Sequence, residues 1–98
     1  MIKKFGPTLR GIGNPPKIQT MSTIENHTEF TWCEPIIVVR YLNSQYQVID
    51  STEVLLHKII PPNCPVIIET EKPMTKPKDQ YAMEVLEIIE AKQYGKNQ

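Results

Sequence analysis

No charge of one sign dominates this chain: eleven basic and eleven acidic residues cancel. No global field therefore draws it to DNA, RNA or an anionic membrane, and such binding would need a local patch. Cysteine is scarce, with only Cys33 and Cys64 and no C-x-x-C spacing, which excludes a disulfide scaffold. Together with His27 and His57 the two thiols do not match the regular spacing of a zinc site. They are expected to be free, far apart and to act as small hydrophobes. No run approaches the roughly 20 apolar residues of a membrane span. The basic start Met1-Ile2-Lys3-Lys4-Phe5 meets Gly6-Pro7 where a signal peptide would have its apolar core, so the expected compartment is the cytosol. Ninety-eight residues allow one domain with one small core. No intact catalytic motif is present, and no catalytic residue, metal or cofactor is assigned. Ser51 and His57 do not qualify as nucleophile and base, because six residues set them on different helical faces with no orienting acid.

What the chain does have is concentrated in residues 34–71, which hold most of the apolar, β-branched sequence. Pro35 to Tyr41 reads as a strand, Asn43-Ser44-Gln45 as a turn, Tyr46 to Asp50 as a second strand, and Pro65 to Thr70 as a third. Ile36-Ile37-Val38-Val39 is apolar on both faces, as in a central strand covered on both sides. Something should therefore cover the second face of its sheet. Between the second and third strands, Ser51 to Ile60 has helical spacing, with Asp50 and Glu53 as a capping box and Pro61-Pro62 as the stop. A hairpin followed by a right-handed β-α-β crossover results, so the predicted sheet is mixed, with the second and third strands parallel.

Around this core, residues 1–17 read as an irregular arm, since 6–16 hold three of the four glycines and three of the nine prolines. Thr8-Leu9-Arg10 could add a short edge strand. Ile18, Met21 and Ile24 recur at three-residue steps that permit one or two helical turns, while Phe30 and Trp32 read as a lid on the core. Residues 72–79 form a charged linker with two prolines. It leads to a predicted C-terminal helix over 80–94, where Tyr81, Ala82, Val85, Leu86, Ile88 and Ile89 make an apolar stripe opposite Glu84, Glu87 and Glu90. That stripe should pack on the sheet; the alternative is pairing with a second copy or a partner.

The segments Pro35-Ile36-Ile37-Val38, Tyr46-Gln47-Val48-Ile49-Asp50 and Pro65-Val66-Ile67-Ile68, with Asn14-Pro15 upstream, resemble the N-terminal domain shared by ParB partition proteins and sulfiredoxins. The resemblance implies an α/β fold whose ligand site lies at the helix start after the second strand. Free amides and positive charge there bind phosphate, and in sulfiredoxin a Cys is the reactive group. This chain has Thr52 in the place of that Cys and Val54 in the place of the family's Arg. Sulfiredoxin chemistry is thereby absent, and nucleotide hydrolysis has lost its basic residue.

Three functional expectations follow. The leading one is a non-enzymatic binding protein of ParB-like fold, a reduced partition-type or mobile-element module acting in a DNA-associated complex through protein contacts. Its interaction helix would present Tyr81, Val85, Leu86, Ile88 and Ile89, with a homodimer as one form of the contact. The second is a nucleotide- or anion-binding domain with a divergent site at Asp50, Ser51, Thr52 and Glu53, for which the competing role is simple helix capping. The third is direct DNA binding by Lys3, Lys4, Arg10 and Lys17, where positive charge gathers without interleaved acids.

Overall fold

The computed structural model describes residues 2–4 and 8–95, with only the backbone of Ile2, Lys3, Lys4, Leu9, Arg10 and Ile12. Eight strands follow one another: β1 (Ile2–Lys4), β2 (Leu9–Ile12), β3 (Lys17–Ile24), β4 (Trp32–Leu42), β5 (Val48–Leu55), β6 (Ile59–Ile60), β7 (Val66–Pro73) and β8 (Met83–Gln93). A 3-10 turn at Lys78–Gln80 is the sole helical element among the described residues. Two four-stranded sheets form, and every strand pair in both is antiparallel.

In the first sheet, β3 pairs β7 along its whole length on one edge, while β1 and β2 share the other. The turn from β2 into β3 passes through Gly13 at φ 79, a left-handed conformation that costs glycine nothing. The second sheet is centred on β4, with β8 on one edge and β5 and β6 end to end on the other. Asn43 closes the β4–β5 hairpin: its Oδ1 accepts the amides of Gln45 and Gln47 at 2.9 and 3.0 Å. Between the sheets lies a core of Ile18, Ile24, Ile37, Val39, Tyr41, Ile60, Ile68 and Tyr81. Alternation builds it, since in β3 and β4 every second residue is buried.

Asn26 fixes the passage from the first sheet to the second. Its side-chain amide donates to the carbonyls of Phe30 and Ile60, and its Oδ1 accepts the Thr28 amide and hydroxyl. Trp32 Nε1 donates to Thr28 Oγ1 at 2.9 Å, so the aromatic expected as a lid is tied to this loop.

This architecture corrects the α/β expectation. No crossover helix forms over Ser51–Ile60: β5 runs on to Leu55, and after a short interruption β6 continues along the same edge of β4. The third strand, β7, leaves this sheet and pairs β3 of the other, so the mixed sheet is replaced by two antiparallel ones. Nor does a C-terminal helix form, because Met83–Gln93 is a strand in register with β4 from Leu42↔Met83 to Trp32↔Gln93. The apolar doublets Val85-Leu86 and Ile88-Ile89 fit either period. As a helix they make one stripe; as a strand they send one member to each face. Leu86 and Ile88 pack on the core, while Val85 and Ile89 stay exposed. The long β-branched β4, with a free edge, decides between them. The three-residue steps of Ile18, Met21 and Ile24 likewise lie in a strand, β3.

Candidate functional site

The register sets Tyr41 of β4 between Asp50 of β5 and Glu84 of β8 on the inner face of the second sheet. Tyr41 is 0% exposed and Glu84 is buried. Lys72 of β7 reaches across from the first sheet and pairs with Asp50 at 3.4 Å, their side chains being 16% and 14% exposed. Asp50 Oδ2 also accepts the Thr75 hydroxyl at 2.7 Å and the Tyr81 hydroxyl at 3.1 Å, while Oδ1 accepts the Ser51 amide at 2.9 Å. The Tyr81 oxygen in turn accepts the amides of Thr75 and Lys76. Edge-to-face packing of Tyr81 on Tyr41, with ring centroids 5.9 Å apart, completes the cluster. Thr8 donates to Glu84 Oε1 at 3.0 Å.

Electrostatics give these groups structural roles. Burial acts to raise the Asp50 carboxyl, but the Thr75, Ser51 and Tyr81 hydrogen bonds and the Lys72 charge outweigh it and hold the group below its ordinary value. Its lone pairs are occupied. Asp50 therefore fastens the 74–82 segment, which carries the chain from β7 to β8, against β5. Burial, followed by Glu84, Asp50 and Tyr81, pushes the Tyr41 phenol far above its ordinary value, so it remains neutral and supplies no phenolate.

The four residues expected to converge at a helix start are dispersed by the strand. Successive side chains in β5 point to opposite faces, so Asp50 and Thr52 lie on the face of their β4 partners Tyr41 and Val39, and Ser51 and Glu53 on the other. Of the basic set, Lys17 forms an ion pair with Glu71 at 3.0 Å. Lys3 and Lys4 fall in β1 and Arg10 in β2, and their side chains lie outside the described residues. The five residues of the expected interaction helix separate: Tyr81 enters the core, Leu86 and Ile88 pack against it, Val85 is exposed on the outer face, and Ile89 is exposed at an irregularity of β8 beside Ile88. Cys33 and Cys64 are free thiols, and no group of metal-ligating side chains gathers among the described residues. Among the described residues, no helix is long and apolar enough to cross a membrane.

Two surfaces remain. At the Trp32 end of β4, a groove of about 480 Å³ is lined by Ile24, Trp32, Ile60 and Ile88, with Asn26 and Thr28 at its polar side. The larger surface is the outer face of the second sheet. Ile36, Val38, Arg40 and Leu42 of β4 point outward there, next to Leu55, Glu53, Ser51 and Val48 of β5 and to Glu90, Glu87, Val85 and Met83 of β8. Ten large apolar or aromatic side chains are exposed among the described residues; six lie in strands of this sheet and one, Ile67, in a strand of the other. Sequence reading missed Lys72, Thr75 and Glu84 because their roles come from partners distant in the chain. The apolar doubling of β4 was the visible signal for the outer face. Against protein-family models, curated proteins and solved structures alike, the chain has no match.

Proposed function

We propose that this chain is a non-enzymatic protein-interaction module that docks through the outer face of its second sheet. The observation that carries this reading is the exposure of Val48 and Leu55 of β5 and of Met83 and Val85 of β8 beside the outward Ile36, Val38 and Leu42 of β4. Large exposed apolar patches mark interaction surfaces. At the centre of the face, Glu53 and Glu87 flank Val38, with Arg40 3.6 Å from Glu87 and Glu90 nearby. The preferred occupant is therefore an aliphatic protein surface bearing Lys or Arg. A two-fold copy centred on Val38 would bring the Glu53–Val38–Glu87 row onto its equivalent, carboxylate against carboxylate, which disfavours self-pairing. Three strands some 30 Å long give a footprint on the order of 400 Å², against about 800 Å² per partner in stable complexes; the contact is a transient one.

The nucleotide reading has lost the convergence of Asp50 to Glu53, and nothing in the two-sheet architecture adds to the DNA-associated one. Selection of displayed peptides on the immobilised chain tests the docking face. Enriched peptides should be aliphatic and basic, with binding reduced at least tenfold by Leu55→Asp and kept by Ile67→Asp, an equally exposed position on the other sheet. Peptides without this chemistry, or peptides indifferent to Leu55→Asp, would contradict the reading.

A further inference from the structure

The inner face of the first sheet departs from the aliphatic rule that builds the rest of the core. Along β3 the inward positions are Ile18, Thr20, Ser22 and Ile24, and their partners on β7 are Lys72, Thr70, Ile68 and Val66. Thr20 (2% exposed), Ser22 (0%) and Thr70 (3%) are thus sealed between the sheets. None of their hydroxyl oxygens has a hydrogen-bond partner, and neither does the hydroxyl of Tyr41 on the facing strand. Leaving a buried hydroxyl unpaired is destabilising, and native cores rarely tolerate several together.

We infer that Thr20, Ser22 and Thr70 form a binding site for ordered water inside the sandwich. Thr20 and Thr70 are direct cross-strand partners, so their Cβ atoms lie about 4.5–5.5 Å apart on one face. Ser22 is the next inward residue along β3. A single water makes about three hydrogen bonds, and a hydroxyl both donates and accepts, so these groups match a small neutral molecule of the same kind. A cation would need carboxylates, and the nearby Asp50 is already committed to Lys72, Thr75 and Tyr81. Side-chain size favours room here, since Ser and Thr fill less than the isoleucines at either end of β3, and packed sheets ordinarily stand about 10 Å apart. The interior of this module is therefore hydrated at its middle, apolar at the Ile24–Ile60 end and ionic at the Asp50–Lys72 end.

Water-to-protein NOE measurements on the full chain, with oxygen-17 relaxation dispersion to count long-lived waters, test this site. At least one water of residence time beyond nanoseconds should give cross-peaks to the Thr20 and Thr70 methyls. It should disappear in the Thr20→Val/Thr70→Val double variant and return in Thr20→Ser/Thr70→Ser, which keeps both hydroxyls. Loss of the bridged hydroxyls should also lower Tm by about 4–8 °C, whereas deleting hydroxyls with no partner would leave Tm unchanged or raise it. Absence of a long-lived water in the wild-type chain, or its persistence in the double valine variant, would overturn the assignment.

Discussion

Asp50→Ala should cost the fold about 1–3 kcal/mol, the range for leaving the partners of a charged, hydrogen-bonded group unsatisfied at a half-buried site. The change leaves Lys72, whose side chain is 16% exposed, without its counter-charge, and it removes the acceptor of the Thr75 and Tyr81 hydroxyls. It also loosens the 74–82 segment and with it the entry into β8. The same carboxylate gives the fold an acid limit. Its pKa is lower in the folded chain than in the unfolded one, where a free aspartate titrates near 3.9. Its stabilising contribution is therefore complete above about pH 5 and is lost as pH falls through the lowered folded value. Glu71 is shifted in the same direction by Gln19 and Lys17, but on the exposed outer face, where such pairs contribute little. Urea unfolding between pH 7 and pH 2 checks the assignment: Asp50→Asn should start from lower stability and lose less of it on acidification. Parallel pH curves for the two proteins would remove Asp50 from this role.

Ile37→Ala should destabilise the chain by about 3–4 kcal/mol, within the range for truncating a buried isoleucine. Ile37 is 0% exposed at the centre of β4, flanked by Val54 of β5 and Ile88 of β8. Both neighbours are held by backbone pairing, so they cannot collapse into the space left behind. A domain of this size has roughly 5–15 kcal/mol in all, and the variant should unfold at markedly lower denaturant. Ile67→Ala, at a position 55% exposed on an edge strand, should stay within about 0.5 kcal/mol. A loss below about 1 kcal/mol at Ile37 would mean that β4 is not the centre of the core.

The hairpin of β4 and β5, the β7 strand and the apolar doubling of Ile36 to Val39 were legible in the sequence because each depends on neighbours in the chain. Asn43 marks its own turn, and β-branched runs mark their own strands. The two helices were read from spacing that a strand also satisfies, and only an available edge of β4 settles the choice. Asp50 illustrates the same limit at the level of a site. Its proximity to Glu53 in sequence suggested a cap, whereas its partners Lys72, Thr75 and Tyr81 arrive from the far side of the β6–β7 crossing. The buried hydroxyls at Thr20 and Ser22 were present as an alternation through β3, but the three-residue steps of Ile18, Met21 and Ile24 masked it.

The proposed docking face requires Met83–Gln93 to be a strand beside β4, and amide exchange across that segment tests this point. Among the described residues its strand pairing is with β4 alone. From Val85 to Gln93, amides directed at β4 should exchange slowly and those directed away from it faster, in alternation along the strand, with extended backbone chemical shifts throughout. Continuous protection with helical shifts from Tyr81 to Gln93 would contradict the account, because the outer face, its aliphatic rows and the Asp50-anchored entry into β8 would then not exist as described.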